Sequence, residues 1–445
     1  MPQIIDTQQM NSLRKKVLCS VFLIIFIDLL GFGMFIPIMP LIARSFQASD
    51  TQATLLSTWF SLATVLSVVF IGHLSDIYGR KKILVSTIVI SAIAQILTGY
   101  STSYLFLVFA RILAGFASGN LSAAQACIAD ITERNNRAKY MVIIGLAFGG
   151  GFSIGPAIGT LVIFLCDTFS LFEGNYFKAI GIAAAAFNII NLVLLLKLQP
   201  ETHPKYAKDQ IKNLIEIIHI NSSLENIKEE KTATLVQNLR HFSGNRAFVG
   251  VMVSVFLQIF AFAGVETLLP ILLSDAYYFS ESFIYKSYIF IGIISLLGNA
   301  FLARFLLKRL GEVYTLQIGQ LSIIIGIILI PLVAPNPYVL FSGLTFLCIG
   351  TSTSNPSINA LVSRLSPSTA QGFAFGCSQT VAAIARMIGP AFMGIAYETG
   401  FYISYLKGEK SLYISAFILL TGVIVSYEAL RKIRVTYVFP KENKI

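Results

Sequence analysis

Residues 72–82 read Gly72-His73-Leu74-Ser75-Asp76-Ile77-Tyr78-Gly79-Arg80-Lys81-Lys82, a charged knot between two long apolar runs. The residue types give it a physical sense. Gly72 and Gly79 permit a tight turn and close helix approach. Asp76 suits a helix N-terminus, where the helix dipole favours an anion. Arg80, Lys81 and Lys82 belong on the cytoplasmic side of a membrane, where basic residues are retained. The stretch reads as a short inside connection between two membrane helices.

The whole chain agrees. It has 445 residues, 55% of them apolar and only 12% charged, with a mean hydropathy of +0.74. That composition excludes disorder and disfavours a soluble enzyme. Lipid offers backbone groups no partners, so long apolar runs must be helices. The net charge of +11 would suit nucleic acid, but Lys and Arg gather at helix ends and topology accounts for them. No nucleic-acid partner is expected; the surrounding partner is the lipid bilayer. Cys19, Cys127, Cys166, Cys348 and Cys377 show no ligand spacing, and an odd number builds no disulfide framework. The first apolar run is too long for a signal peptide and holds Asp28.

Twelve spans are predicted: 17–42, 53–74, 83–101, 104–128, 139–165, 177–198, 247–273, 283–307, 313–333, 338–363, 372–396 and 411–431. Each reaches the ~17–25 residues that cross a bilayer. Inside segments then carry Arg14, Lys15 and Lys16, Arg80 to Lys82, Arg134, Arg137 and Lys139, Lys308 and Arg309, and Arg431, Lys432 and Arg434. Outside loops carry only Arg44, Lys178, Lys286, Lys407 and Lys410, so both termini are expected to be cytoplasmic. Residues 199–246 are long and polar, hold Pro200 and Pro204, and divide the spans six and six. The expected organisation is an N-terminal six-helix bundle at 1–198, a cytoplasmic linker at 199–246 and a C-terminal six-helix bundle at 247–445. His203, His219 and His241 in that linker match no metal motif and read as solvated loop residues. The halves look duplicated: Asn355 follows Asn120 by 235 residues, and Gly389-Pro390-Ala391 follows Gly155-Pro156-Ala157 by 234.

Four groups of residues carry chemistry. Asp28 lies about eleven residues into its span, or ~17 Å, near mid-bilayer. A carboxylate there costs roughly 2.5–3.5 kcal/mol, so it must face a polar cavity or a partner. It reads as a proton carrier or as a structurally paired acid. Arg111 falls at similar depth in the fourth span and is expected to pair with Asp28, directly or through water. Gly151, Gly155 and Gly159 share one helix face beside the bend at Pro156, and make a packing surface. Glu266 falls ~27 Å into its span, as a mouth residue or a second proton site. Arg386, mid-way along the eleventh span, wants an anion, either Glu266 or an acidic substrate. Asn120 and Asn355 are the matched polar positions of the two halves and candidates for substrate contact. Phe26, Phe32, Phe35 and Trp59 read as packing or lipid-facing aromatics.

The opening stretch, G-x-L-S-D-x-x-G-R-K-K, resembles the signature between the second and third helices of the major facilitator superfamily of secondary transporters. The resemblance implies an all-α polytopic membrane protein of two pseudo-symmetric six-helix bundles around a central cavity. Arg111-Ile112-Leu113-Ala114-Gly115 looks like the family's fourth-helix motif, whose arginine is implicated in proton transfer. Ile128-Ala129-Asp130-Ile131-Thr132-Glu133 through Arg137-Ala138 is similar to the end of the fourth helix in tetracycline/proton antiporters. It implies that Asp76, Arg80 and Asp130, with Gly72 and Gly79, form a cytoplasmic gate that holds in one conformation and breaks in the other. G-x-x-x-G-P-x-x-G at Gly151–Gly159 resembles the motif of exporters that run as antiporters. Pro356–Arg364 with Gln371-Gly372 also looks like drug/proton antiporters, and Arg304, Lys308, Arg309 and Gly311 are a degraded echo of the opening motif. Tetracycline antiporters carry membrane acids in their third and ninth helices; spans 83–101 and 313–333 carry none, which takes away the argument for tetracycline itself.

No H-E-x-x-H, G-x-S-x-G, P-loop or Cys/His metal spacing occurs, so no enzyme, catalytic residue, metal or cofactor is expected. The expected function is secondary active export of small organic molecules across a bacterial-type inner membrane by proton antiport, of the multidrug efflux and drug-resistance type, with alternating access. The alternatives are export of an acidic metabolite or carboxylate siderophore, a proton-coupled uptake symporter, and a non-transporting receptor of the same fold. By resemblance the chain works as a monomer.

Overall fold

The computed structural model describes residues 7–132, 137–207, 242–332, 334–366, 371–399 and 409–437. Glu133, His219, His241 and linker residues 208–241 lie outside the described residues. Secondary structure among the described residues is entirely helical. Unit 1 holds α1 (Thr7–Phe35), α2 (Met39–Ser45), α3 (Asp50–Tyr78), α4 (Arg80–Gly99), α5 (Tyr104–Ala117), α6 (Asn120–Asp130), α7 (Arg137–Thr168) and α8 (Tyr176–Leu198). The later helices are α9 (Arg246–Asp275), α10 (Glu281–Leu297), α11 (Ala303–Leu332), α12 (Pro337–Arg364), α13 (Gln371–Glu398) and α14 (Glu409–Tyr437). Nine described stretches are long and apolar enough to cross a bilayer, and one of them, Glu281–Leu332, has 52 residues and can cross twice. With α7 and α12 the described residues supply twelve spanning segments, the twelve-helix fold.

Two predicted spans are not continuous helices. The first does not run to residue 42: α1 ends at Phe35. Pro37 and Pro40 have no N–H to give, so the chain turns tightly, with Ile36 N donating to Gly33 O and Ile38 N to Phe35 O. It resumes as α2, with a proline in its first turn, and an Arg44–Asp50 ion pair of 2.6 Å ties α2 to the start of α3. The fourth span is broken at Ser118–Gly119 between α5 and α6. Gly119 lies so close to α3 that a Cβ there would stand 2.4 Å from Ser67 Oγ.

Lipid tails are as apolar as leucine, so membrane helices associate by close packing at small residues. In unit 1, α1 packs on α7 along the predicted glycine face, and α4 crosses α8 at Gly99 and Gly181. A Cβ on Gly155 would come within 2.8 Å of both Gly33 Cα and Leu30 O. The first turns of α10, within Ser280–Gly292, belong to this unit, where Thr160 Oγ1 donates to Tyr285 O at 3.1 Å. Unit 2, Ala233–Phe279 and Ile293–Ile445, uses the same device. A Cβ on Gly389 of α13 would lie 2.5 Å from Phe260 O of α9. Gly155 faces Leu30 O and Gly389 faces Phe260 O, so one helix contact recurs some 230 residues later.

The atoms that crowd Gly155 are backbone and have nowhere to go. Gly155→Ala is expected to part α1 from α7 at a cost of about 1–3 kcal/mol, read as a lower thermal midpoint of the purified protein. Gly376→Ala is the control, since a Cβ there meets nothing within 4 Å; equal midpoints for the two variants would refute the contact.

Candidate functional site

Asp28 of α1 is half-buried and holds two hydrogen bonds. Ser91 Oγ on α4 donates to Oδ1 at 3.0 Å, and Asn120 Nδ2 donates to Oδ2 at 3.3 Å. Asn120 is the first residue of α6, so the break at Ser118–Gly119 is where this donor is set. Asn120 is buried, and its amide serves the acid rather than standing open. The direct form of the expected pairing between Asp28 and Arg111 does not occur. Neutral donors take both carboxylate oxygens, and two aromatic rings take the guanidinium. Arg111 is 3% exposed, with its Cζ 5.3 Å from the Phe32 ring centroid and 4.7 Å from that of Phe60. Phe32 follows Asp28 by one turn on the same face of α1.

The turn between α3 and α4 gathers the predicted charge network and adds to it. Gly79 has φ +95°, a backbone that only glycine adopts without strain. Arg80 Nε donates to Asp130 Oδ2 at 3.2 Å, and its Nη1 donates to Ser75 Oγ at 2.8 Å and to Asp76. Asp76 does not take the helix N-terminus: it lies in the last turn of α3 and is held there by Arg80. Glu201 takes that place instead. Its Oε1 accepts from Arg80 N at 2.9 Å and its Oε2 from Lys81 N at 3.1 Å, which satisfies two orphan amides at the start of α4. Thr202 Oγ1 donates to Asp130 Oδ2 at 3.1 Å, and the Tyr206 hydroxyl donates to Ile77 O. His203 is half-buried against Tyr206 and is not a freely solvated loop residue.

Unit 2 repeats both arrangements with the chemistry altered. On α9, Gln258 occupies the place of Asp28, 230 residues later. Its Nε2 donates to Ser354 Oγ at 2.9 Å and to Asn355 Oδ1 at 3.1 Å, both on α12, and its Oε1 accepts from Gln320 of α11 at 3.1 Å. An acid with neutral donors in unit 1 is an amide with amides in unit 2. Asn355, unlike Asn120, is exposed. Gly311 has φ +74°, and Glu312 beside it pairs with Arg364 at 2.6 Å, so the Arg80–Asp130 bridge recurs with its charges exchanged. Glu266 and Arg386 are half-buried on α9 and α13 and lie close enough for each to feel the other's charge, as one expected partnering has it, although no contact-distance salt bridge joins them among the described residues.

Ser91, Glu201 and Thr202 were not legible as site residues. A sign of Ser91 existed: Thr87, Ser91, Gln95 and Thr98 form a buried polar stripe along one face of α4. Glu201 gave none, because its partners stand 121 and 120 residues away.

Twelve spanning segments in two related sets, with ionisable groups inside apolar helices, define a polytopic membrane transporter. The profile of the Major Facilitator Superfamily matches residues 21–390 and again 306–431. The chain is 24% identical over 397 residues to the class H tetracycline resistance protein of Pasteurella multocida, covering 88% of this chain and 92% of that one. It is 23% identical to multidrug resistance protein 2 of Bacillus subtilis, with the same coverage of 88% and 92%. The crystal structure of the human organic anion transporter MFSD10 (TETRAN) superposes with a TM-score of 0.64 at 20% identity, over 93% of this chain and 99% of that one. The chain belongs to the Major Facilitator Superfamily. It is an integral membrane transporter of small molecules and not an enzyme.

Glu201 uses both carboxylate oxygens on backbone amides. Glu201→Gln keeps one acceptor and Glu201→Ala none. Both are expected to lower the thermal midpoint, alanine further, in line with the ~0.5–2 kcal/mol of a lost helix cap. Unchanged midpoints would remove Glu201 from the cluster.

Proposed function

We propose that this transporter exports small organic molecules in exchange for protons, with Asp28 as the proton carrier. The observation that carries the reading is the setting of Asp28: an acid inside an apolar helix, half-buried, with two neutral donors and no cation paired to it among the described residues. Neutral donors support the charged form, yet leave no counterion to hold it charged, so the group can be neutralised and recharged in a cycle. Arg111 on α5 modulates this acid through its contact with Phe32, one turn along α1 from Asp28. Asp76, Arg80 and Asp130, between Gly72 and Gly79, act as the gate that holds one conformation, and the face of Gly151, Gly155, Pro156 and Gly159 gives the exporter character. Alternating access moves an N-terminal bundle at 1–198 against a C-terminal bundle at 247–445, joined by the linker at 199–246. The chain works as a monomer in a bacterial-type inner membrane with both termini in the cytoplasm. Similarity to a tetracycline resistance protein and a multidrug resistance protein supports efflux.

A second reading is export of an acidic metabolite such as a carboxylate siderophore. Arg111, with no carboxylate paired to it among the described residues, favours it, as does the organic anion transporter among the structural neighbours.

Inverted membrane vesicles energised to an acidic interior, with a pH-sensitive dye inside, test the coupling. Adding cationic drugs and then polycarboxylates should release protons with at least one of the two classes. The release should disappear in Asp28→Asn. Release that persists unchanged in the variant would take Asp28 out of the mechanism.

A further inference from the structure

Arg111 is short of an anion. It is buried where α1, α3 and α5 meet, and its Nε and Nη1 are enclosed with no hydrogen-bond partner. No carboxylate among the described residues pairs with it, and Asp28, one turn from Phe32, has both oxygens engaged by Ser91 and Asn120. In place of a counterion it has two ring faces, Phe32 and Phe60, whose centroids are 4.6 Å apart. A ring attracts a cation through its quadrupole, but it cannot accept the paired, charge-assisted hydrogen bonds that a guanidinium makes to a carboxylate. An uncompensated arginine inside an apolar segment is costly, and such residues mark substrate paths when nothing in the chain answers them.

The rings also say what shape would answer. Phe32 and Phe60 are only half-buried, while the arginine they cover is enclosed. An apolar, flat wall therefore continues past the charge. A ligand suited to both features has an anionic head and a flat apolar body.

We infer that Arg111, Phe32 and Phe60 form a binding subsite for an organic anion, an aromatic carboxylate whose head meets the guanidinium and whose ring lies on the two phenyl groups. The inference rests on the reading of this chain as a transporter of small organic molecules, and it narrows the substrate class. The carboxylate takes over the guanidinium from the rings, which swing aside and close on the ligand's own ring. A cationic drug of the same shape meets an unanswered positive charge and is rejected.

The test is a binding measurement on the full-length protein in lipid nanodiscs, with no pH gradient. Three probes share one shape and differ in charge: 1-naphthoate, 1-naphthamide and 1-naphthylmethylammonium. Calorimetry at neutral pH should show 1-naphthoate binding at least about tenfold tighter than the amide, with the ammonium weakest. Arg111→Gln should abolish that order. Arg111→Lys keeps the charge but loses the planar fork, and should weaken 1-naphthoate by about tenfold. Phe60→Leu should weaken 1-naphthoate and 1-naphthamide alike, so the assignment does not hang on one variant's folding. Equal binding of the three probes, preference for the ammonium, no binding of any, or 1-naphthoate affinity untouched by both arginine substitutions would overturn the subsite. The measurement needs no proton gradient and is therefore independent of coupling. Loss of charge preference beside intact, Asp28-dependent proton release sinks the subsite alone; intact preference beside proton release that ignores Asp28 sinks the coupling alone.

Discussion

A carboxylate inside a membrane helix must be surrounded by donors or give up its charge. Much of unit 1 is arranged around that demand at Asp28. The fourth segment gives up continuity at Ser118–Gly119, and Asn120 begins the helix that follows. Gly119 and Gly115 let α3 approach the broken segment closely enough that an added Cβ on either would collide. Ser91 reaches from α4, whose position against α8 depends on Gly99 and Gly181. Three segments thus meet at one acid, and small residues permit the meeting.

The second unit shows how that plan works without charge. Gln258, Gln320, Ser354 and Asn355 join the corresponding segments through amides and hydroxyls, and every one of these bonds is between neutral groups. At the α3–α4 turn the duplication kept the glycine and the bridge but exchanged the signs: Arg80–Asp130 in one unit, Glu312–Arg364 in the other. The first bridge is enclosed, with side chains 9% and 12% exposed; the second stands at 31% and 29%. Exposed pairs contribute little and are screened by salt. The enclosed one also engages Ser75, Asp76 and Thr202, so losing one member strands the others.

The fold was readable because its signals are long. Twenty apolar residues in a row admit few alternatives, and Gly79 beside three basic residues marks a turn by its chemistry. The glycine face of α7 was readable for the same reason, since its spacing is local. What failed was pairing across helices. Asp28 and Arg111 carry opposite charges at similar depth, and depth is all that a count along the chain supplies. Which way each points depends on rotation about the helix axis, and that is set by partners far off in sequence. Pro37 and Ser118–Gly119 were visible, yet whether they bend a helix or end it depends on what packs beside them. Glu201 sits in a polar stretch that reads as linker, although its neighbours Gln199 and Thr202 are buried.

The replacement of an acid by Gln258 has an energetic consequence. Of the two equivalent positions only Asp28 can carry a proton, so a cycle that uses this pair moves one proton. One charge crossing 100 mV is worth about 2.3 kcal/mol, and about 1.4 kcal/mol is a tenfold concentration ratio. A neutral solute exchanged for that proton can therefore be concentrated roughly fortyfold by 100 mV of potential alone. A monovalent anion leaving as the proton enters moves two charge equivalents the same way, and its limit is the square of that figure. A monovalent cation moves none and gains only from the pH difference. Under the proposed proton exchange, the amide in the second unit thus ties the steepness of the gradient to the charge of the solute carried.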